Sequence, residues 1–146
     1  MKKLLLVVLT VFSVNVFADA ASDAVENRQA AFKLIKANFA QMGAMMQGKK
    51  PYDANEFNKR AINLEALSSM PWEFFIEGSD MVDGTKAKDE IWEKAKDFSN
   101  ENKDFQKKVS NLDKVAKPKA SQNDVKDAFS EVAKTCKSCH KQFKNK

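Results

Sequence analysis

Four stretches of the chain carry apolar residues in alternating steps of three and four, and no other feature restricts its fold as tightly. Steps averaging 3.5 hold side chains on one stripe of an α-helix, whereas a half-buried strand requires strict alternation. The first stripe lies between Asp23 and Gln47 and reads Phe32, Ile35, Phe39, Met42 and Met46, with Arg28 in the same register one turn earlier. Gly48 and the Lys49-Lys50-Pro51 run end it. A second helix is expected from Asp53, spaced to Glu56 as in a capping box, to about Ser68, with Phe57, Ala61, Leu64 and Leu67 facing inward. The third, expected over Lys86 to Lys117, repeats at Ile91, Ala95, Phe98, Phe105, Val109 and Leu112, with polar Asn102 in the series and Pro118 ending it. Ser121 and Asp124 are placed to cap the fourth, whose stripe is Val125, Phe129, Val132, Cys136, Cys139 and Phe143, so both cysteines are expected to face the core. Residues 69–85 show no period and contain Pro71, Gly78 and Gly84, which predicts a long loop. Its Trp72, Phe74 and Phe75 imply that it lies over something apolar. One stripe per helix and mostly short connections predict an all-α, antiparallel up-down-up-down four-helix bundle.

Composition agrees and narrows the chemistry. The 146 residues suffice for one domain, and 4 Gly with 3 Pro are too few for the turns of a many-stranded barrel or sandwich. Two Cys do not make a disulfide scaffold, and one His excludes any site that needs two imidazoles. The formal charge of +5 comes from 25 basic and 20 acidic residues intermixed along the chain, so nucleic-acid binding is not expected.

The first 18 residues read as an export signal: Lys2 and Lys3, an apolar run from Leu4 to Phe12, then Val16-Phe17-Ala18 ahead of the cleavage point. The apolar segment is shorter than the roughly 20 residues that span a bilayer and is broken by Thr10, Ser13 and Asn15, so an uncleaved anchor is the weaker reading. Cleavage is expected after Ala18, with Ala20 as the alternative, leaving a 128-residue domain over 19–146 with a charge of +3. No later segment is apolar enough to insert in a membrane, which implies a soluble exported protein, periplasmic in a Gram-negative source.

Both cysteines and the single histidine fall within Cys136-Lys137-Ser138-Cys139-His140. C-x-x-C-H is the attachment motif for c-type haem: two thiols one helical turn apart form thioethers with the vinyl groups, and the adjacent imidazole reaches the iron from the same side. A structural zinc site would want four ligands. A thioredoxin-like pair would sit at a helix N-terminus after a strand, and a simple disulfide is the third alternative.

A motif this close to the C-terminus, on the last helix of an exported bundle, resembles the cytochrome c-prime family. The stretches carrying the likeness are Arg28-Gln29-Ala30-Ala31-Phe32, Met42-Gly43-Ala44-Met45, Pro51-Tyr52-Asp53-Ala54, Leu67-Ser68-Ser69-Met70-Pro71-Trp72, Gly78-Ser79 and Lys86-Ala87-Lys88-Asp89-Glu90-Ile91-Trp92. The resemblance implies a homodimer carrying one covalent haem c per chain, high-spin and five-coordinate, with His140 as the iron ligand. It implies that Arg28 and Gln29 lie near the haem propionates, Phe32 faces the open distal position, and Phe75 lies beside the haem. Thr85 is implied as a contact to the haem edge, and Lys144 stands where the family commonly has an Arg beside the proximal His. Family members bind nitric oxide and carbon monoxide, so the expected role is gas binding, with nitric oxide capture or scavenging foremost. Phe32 has no donor and no lone pair, so it can block a ligand or yield to it but cannot hold one. The alternative is a low-spin electron-transfer cytochrome on the same bundle, with a Met as sixth ligand drawn from Met42, Met45, Met46, Met70 and Met81. Enzymatic turnover is not expected, because the only imidazole is committed to the iron and none is left as a distal base. The Lys-rich segment from Lys141 to Lys146 reads as a solvated helix end that could dock an acidic redox partner.

Overall fold

The computed structural model of the chain describes residues 13–146, with side chains from residue 20 onward. Of the export signal expected over residues 1–18, residues 1–12 lie outside this range, and residues 13–18, up to the expected cleavage point, are described by their helical backbone alone. The elements in chain order are α1 (Ser13–Met46), α2 (Ala54–Leu67), a 3-10 turn (Met70–Phe74), α3 (Glu90–Glu93), α4 (Ala95–Val115) and α5 (Gln122–Phe143). The four long helices form the expected bundle, in which α1 packs on α2, α2 on α4, and α4 on α5. Among the described residues the only β-type pairing is one isolated antiparallel bridge, between Ala87 and Lys144. No described helix is long and apolar enough to cross a membrane.

The capping signals work as their spacing predicts. Asp53 accepts from the Glu56 amide at 2.9 Å, while the Glu56 carboxylate turns to Lys50 instead of reaching back. Ser121 and Asp124 form the full reciprocal box at the start of α5. Met42, Phe57, Leu64, Val109, Leu112, Val125 and Val132 are wholly buried and join the helices into one apolar core.

Three expectations need correction. The first helix extends ten residues N-terminal of Asp23, and Ala21, Ala24 and Val25 are buried along it. Alanine is the strongest helix former, so this run carries the helix without a cap at Asp23. The third helix does not begin at Lys86. Residues 86–88 are extended and pair with the end of α5, Lys88 N donating to Phe143 O at 3.2 Å and Asn145 N to Lys86 O at 2.9 Å. The helix starts at Glu90, leaves helical dihedrals at Lys94 (φ −117°, ψ 43°) and resumes at Ala95, which is exposed and not part of the inward stripe. Of the two cysteines, both half-buried, Cys136 packs against the core as expected, whereas Cys139 is not among the residues packed there. A straight helix drifts about 20° per heptad against a 3.5 repeat, so two heptads past Val125 the stripe has turned to the edge at Cys139. Phe143, five full turns past Val125, is back on the buried face at 3% exposure.

Candidate functional site

Helices α1 and α5 run antiparallel and meet closely at one end. Phe39 stacks on Phe129 at 4.4 Å with planes 11° apart, and Gln122 Nε2 donates to Met46 O at 3.3 Å. Gly43 faces this contact, where a Cβ would stand at an ordinary van der Waals distance of 3.6 Å from the Phe129 ring. Seven residues back along α1 and seven forward along α5, the register sets Phe32 level with Cys136, and one further turn sets Arg28 level with His140. At that level the interior is aromatic. Phe32 meets Trp72 edge-on at 5.6 Å and Phe75 at 6.3 Å, Phe98 meets Phe75 at 4.9 Å and Phe143 at 5.2 Å, and Trp72 meets Phe105 at 6.0 Å. These rings come from α1, the 3-10 turn and the loop after it, α4 and α5, so one end of the bundle is lined by flat apolar groups.

The α5 side supplies the reactive atoms. Cys136 and Cys139 are unpaired thiols one turn apart. Burial pushes the Cys136 thiol up, and burial followed by the negative charge of Glu101, and of Cys136 once it ionises, pushes Cys139 to about 12. Both therefore stand as neutral S–H groups at neutral pH. His140 is open to solvent on one side; burial of the remainder, followed by the positive charge of Lys144, lowers its pKa, which favours the neutral imidazole that ligates a metal. Two thiols, an adjacent imidazole and an aromatic interior suit a planar apolar macrocycle with two thiol-reactive arms and an axial position to fill. Among the described residues no group of three or more His, Cys, Asp and Glu gathers as a protein-only metal site.

The opposite side is built by Arg28. Its side chain is 3% exposed, and its Nη1 donates to Phe74 O at 2.9 Å and Ser79 Oγ at 2.6 Å, its Nη2 to Ser79 O at 2.8 Å and Thr85 Oγ1 at 2.7 Å. The guanidinium also lies 4.7 Å over the Phe75 ring. Burial lowers its pKa and Asp80 opposes the shift, yet an arginine stays charged. Gln29 Nε2 reaches Gly84 O at 3.2 Å. The segment from Phe74 to Thr85 is thus pinned to α1, and two residues later the Ala87–Lys144 bridge pins it to α5. It forms a strap across the end of the bundle that bears the motif.

The structure accordingly places the expected residues in two groups. Arg28, Gln29, Phe32, Phe75 and Thr85 sit together where α1 meets the strap; Cys136, Cys139, His140 and Lys144 sit on the last turns of α5. The hydroxyl of Thr85 is taken by Arg28 and by the Ala87 amide. Sequence reasoning missed Ser79, wholly buried and bonded twice to Arg28, and Glu101, whose Oε1 accepts from Ser138 Oγ at 2.7 Å and Gln142 Nε2 at 2.9 Å on either side of Cys139-His140. Ser79 had a weak signal in the Gly78-Ser79 pair, whereas nothing in the sequence marked Glu101. Of the candidate sixth ligands, Met42 and Met45 are locked in the main core, while Met70 and Met81 are 46% and 82% exposed.

Residues 23–144 match the family model described as Cytochrome C'. The chain is 37% identical to cytochrome c' of Rubrivivax gelatinosus over 124 residues, covering 85% of this chain and 95% of that protein. Its fold superposes on cytochrome c prime from Shewanella frigidimarina with a TM-score of 0.82 at 46% identity, covering 86% of this chain and 97% of the other. It also superposes on a nitric oxide complex of a variant of cytochrome c prime from Alcaligenes xylosoxidans, with a TM-score of 0.78 at 32% identity, covering 86% and 96% of the two chains. A carbon monoxide-bound variant of that protein aligns with the same TM-score of 0.78.

Proposed function

The chain belongs to the cytochrome c′ family and its cofactor is haem c; on that premise we propose that it is an exported gas-binding cytochrome that captures nitric oxide in the periplasm. Cys136 and Cys139 would hold the haem through thioethers, and His140 would be the one protein ligand to its iron. Haem c supplies an iron centre that binds diatomic gases. The chain supplies the surroundings: Phe32 keeps the far side apolar, and the aromatic rings around it exclude water. The observation that carries the reading is the setting of Phe32, which meets Trp72 and Phe75 edge-on in the aromatic interior and carries no donor or ligating atom. The methionines buried in the core are already packed there, and the only imidazole belongs to the motif, so the far side has no resident base for turnover. Complexes of variants of the Alcaligenes xylosoxidans relative with nitric oxide and carbon monoxide support the same choice of ligand. We further propose a homodimer through α1 and α2, where Leu34 and Ile62 are 54% and 52% exposed.

The test is the visible spectrum of the dithionite-reduced holoprotein with and without nitric oxide. A broad high-spin spectrum that changes with the gas is expected; a sharp low-spin spectrum indifferent to it refutes the open site and indicates electron carriage with a Met ligand. The Phe32→Ala variant tests the gate. Phe32 makes two edge contacts, with Trp72 and Phe75, each contributing about 0.5–1.5 kcal/mol beyond buried area. If an entering gas must break both, carbon monoxide association with the ferrous variant is faster by about 5- to 150-fold. An unchanged rate makes Phe32 a packing residue.

A further inference from the structure

Charge is divided sharply across the end of the bundle that carries the motif. Between Arg60 and Lys86 the chain has five acidic residues, Glu65, Glu73, Glu77, Asp80 and Asp83, and no lysine or arginine. From Lys137 to Lys146 it has four lysines and no acid. The fold sharpens this division. Lys137, Lys141 and Lys144 step by four and three along α5, and His140 lies on the same stripe, with all four exposed. The Ala87–Lys144 bridge then brings Lys86 and Lys88 from the far end of the strap to this edge, where Lys88 Nζ donates to Gln142 O at 3.3 Å. None of these lysines forms an ion pair among the described residues, whose four salt bridges involve only Lys50, Glu56, Arg60, Lys108, Glu131 and Lys134. The acids beside this edge are Asp89 and Glu90, next to Lys88 and Asn145, and, on the α4 side, Asp97 and Glu101, which line one cleft with Ser138 and Gln142, Glu101 accepting from both.

Attraction to a helix C-terminus accounts for cations in the last turn. It does not account for Lys137, nearly two turns from the end, or for Lys86 and Lys88, which belong to another segment. We propose that the lysine face around His140 is the docking surface for an acidic electron-transfer protein that gives up one electron as the ferric iron gains one. The inference rests on the haem reading above: ferrous iron alone holds carbon monoxide and is the form that holds nitric oxide most tightly, so an exported protein that keeps its iron ferrous for capture needs an electron donor. A protein is a better match than an anionic membrane for two reasons. The large exposed apolar residues, Leu34, Ile62, Met70, Ile76 and Met81, all lie on α1, α2 and the strap region, leaving the lysine face without an anchor for a bilayer. A planar anionic surface would also meet the acidic strap beside the lysines, whereas a protein face can present acids to one half only.

The test compares reduced holoprotein with two variants of equal net charge: Lys137→Glu/Lys141→Glu on the face, and Lys49→Glu/Lys119→Glu in the turns at the opposite end. Each is oxidised by one electron with ferricyanide, an anion, and separately with tris(phenanthroline)cobalt(III), a cation, at 10 mM and 500 mM ionic strength. In the parent, raising the salt is expected to slow ferricyanide about tenfold and to speed the cobalt complex. The face variant is expected to lose this dependence and the opposite-end variant to keep it; equal behaviour of the two overturns the proposal. Binding is read independently of electrons, as mass taken up by a carboxylate-terminated monolayer on a quartz microbalance and by vesicles containing phosphatidylglycerol. Uptake on the monolayer that the face variant loses supports the surface, and tighter binding to the vesicles overturns it in favour of a membrane. Lysine-dependent uptake by a protein showing no haem absorption instead refutes the haem reading, which separates the two failures.

Discussion

Arg28→Met removes one side chain and releases a whole segment. Four hydrogen bonds end on Arg28, to Phe74 O, Ser79 Oγ, Ser79 O and Thr85 Oγ1, at 2.6–2.9 Å. Each acceptor left dry costs about 1–3 kcal/mol, and the lost contact over Phe75 about 0.5–2 kcal/mol. The strap relaxes toward water once freed, so these terms do not add. The expected destabilisation is that of breaking one buried charged network, about 3–5 kcal/mol. For a domain of this size that lowers Tm by about 10–20 °C. Thermal unfolding of the holoprotein measures the total, and amide exchange locates it. Protection should fall first at Ser79 and Thr85, whose amides bond to Ile76 O and Val82 O, and at Lys88 and Asn145 in the bridge to α5. Arg28→Lys keeps the charge but has one donor centre in place of a planar fork, so it should recover less than half of the loss. A Tm drop under 3 °C with unchanged exchange at these amides would refute the role of Arg28 as the anchor of the strap.

Two further outcomes concern elements away from the motif. Ser121→Ala removes one half of the capping box at the start of α5 and should cost about 1 kcal/mol in urea unfolding, with no change in the haem spectrum. Glu131 is held at about 2 by hydrogen bonds from Lys134 and Lys108, against an ordinary value of 4.5. The folded chain therefore keeps this carboxylate charged where the unfolded chain takes up a proton. The stability it contributes is complete above pH 4.5 and is lost as pH falls from 4.5 toward 2. Glu131→Gln should flatten the stability-versus-pH curve in that window relative to the parent and leave the curve between pH 6 and 8 parallel to it; equal slopes below pH 4.5 would contradict the pairing.

Features that lie within one or two helical turns are legible in the sequence. The caps at Asp53 and Ser121 come from contacts three residues apart, and the apolar stripes from the helical period. The Cys136-Cys139-His140 set is readable for the same reason, because one turn of α5 fixes the spacing of its donors whatever the rest of the molecule does. Legibility ends where a distant segment intervenes. The start of the third helix is hidden because residues 86–88 bond to residues 143–145, and such pairing leaves no trace in the local period. The outward turn of Cys139 is hidden because a stripe read as 3.5 per turn rotates slowly against a helix of 3.6.

The chain's own sequence thus determined four helices, their caps, the attachment motif and the Phe32–Arg28 stripe, all through interactions that a single helix can make alone. Only the tertiary structure decided that Arg28 would spend its donors on oxygens 46 to 57 residues away. It also decided that α1 and α5 would pack at Phe39 and Phe129 and hold aromatic rings between them at the motif end, and that lysines from two segments would surround His140. Those outcomes depend on how rigid helices lie against one another, and orientation between helices is set by the packing of the whole core, to which no single period in the sequence corresponds.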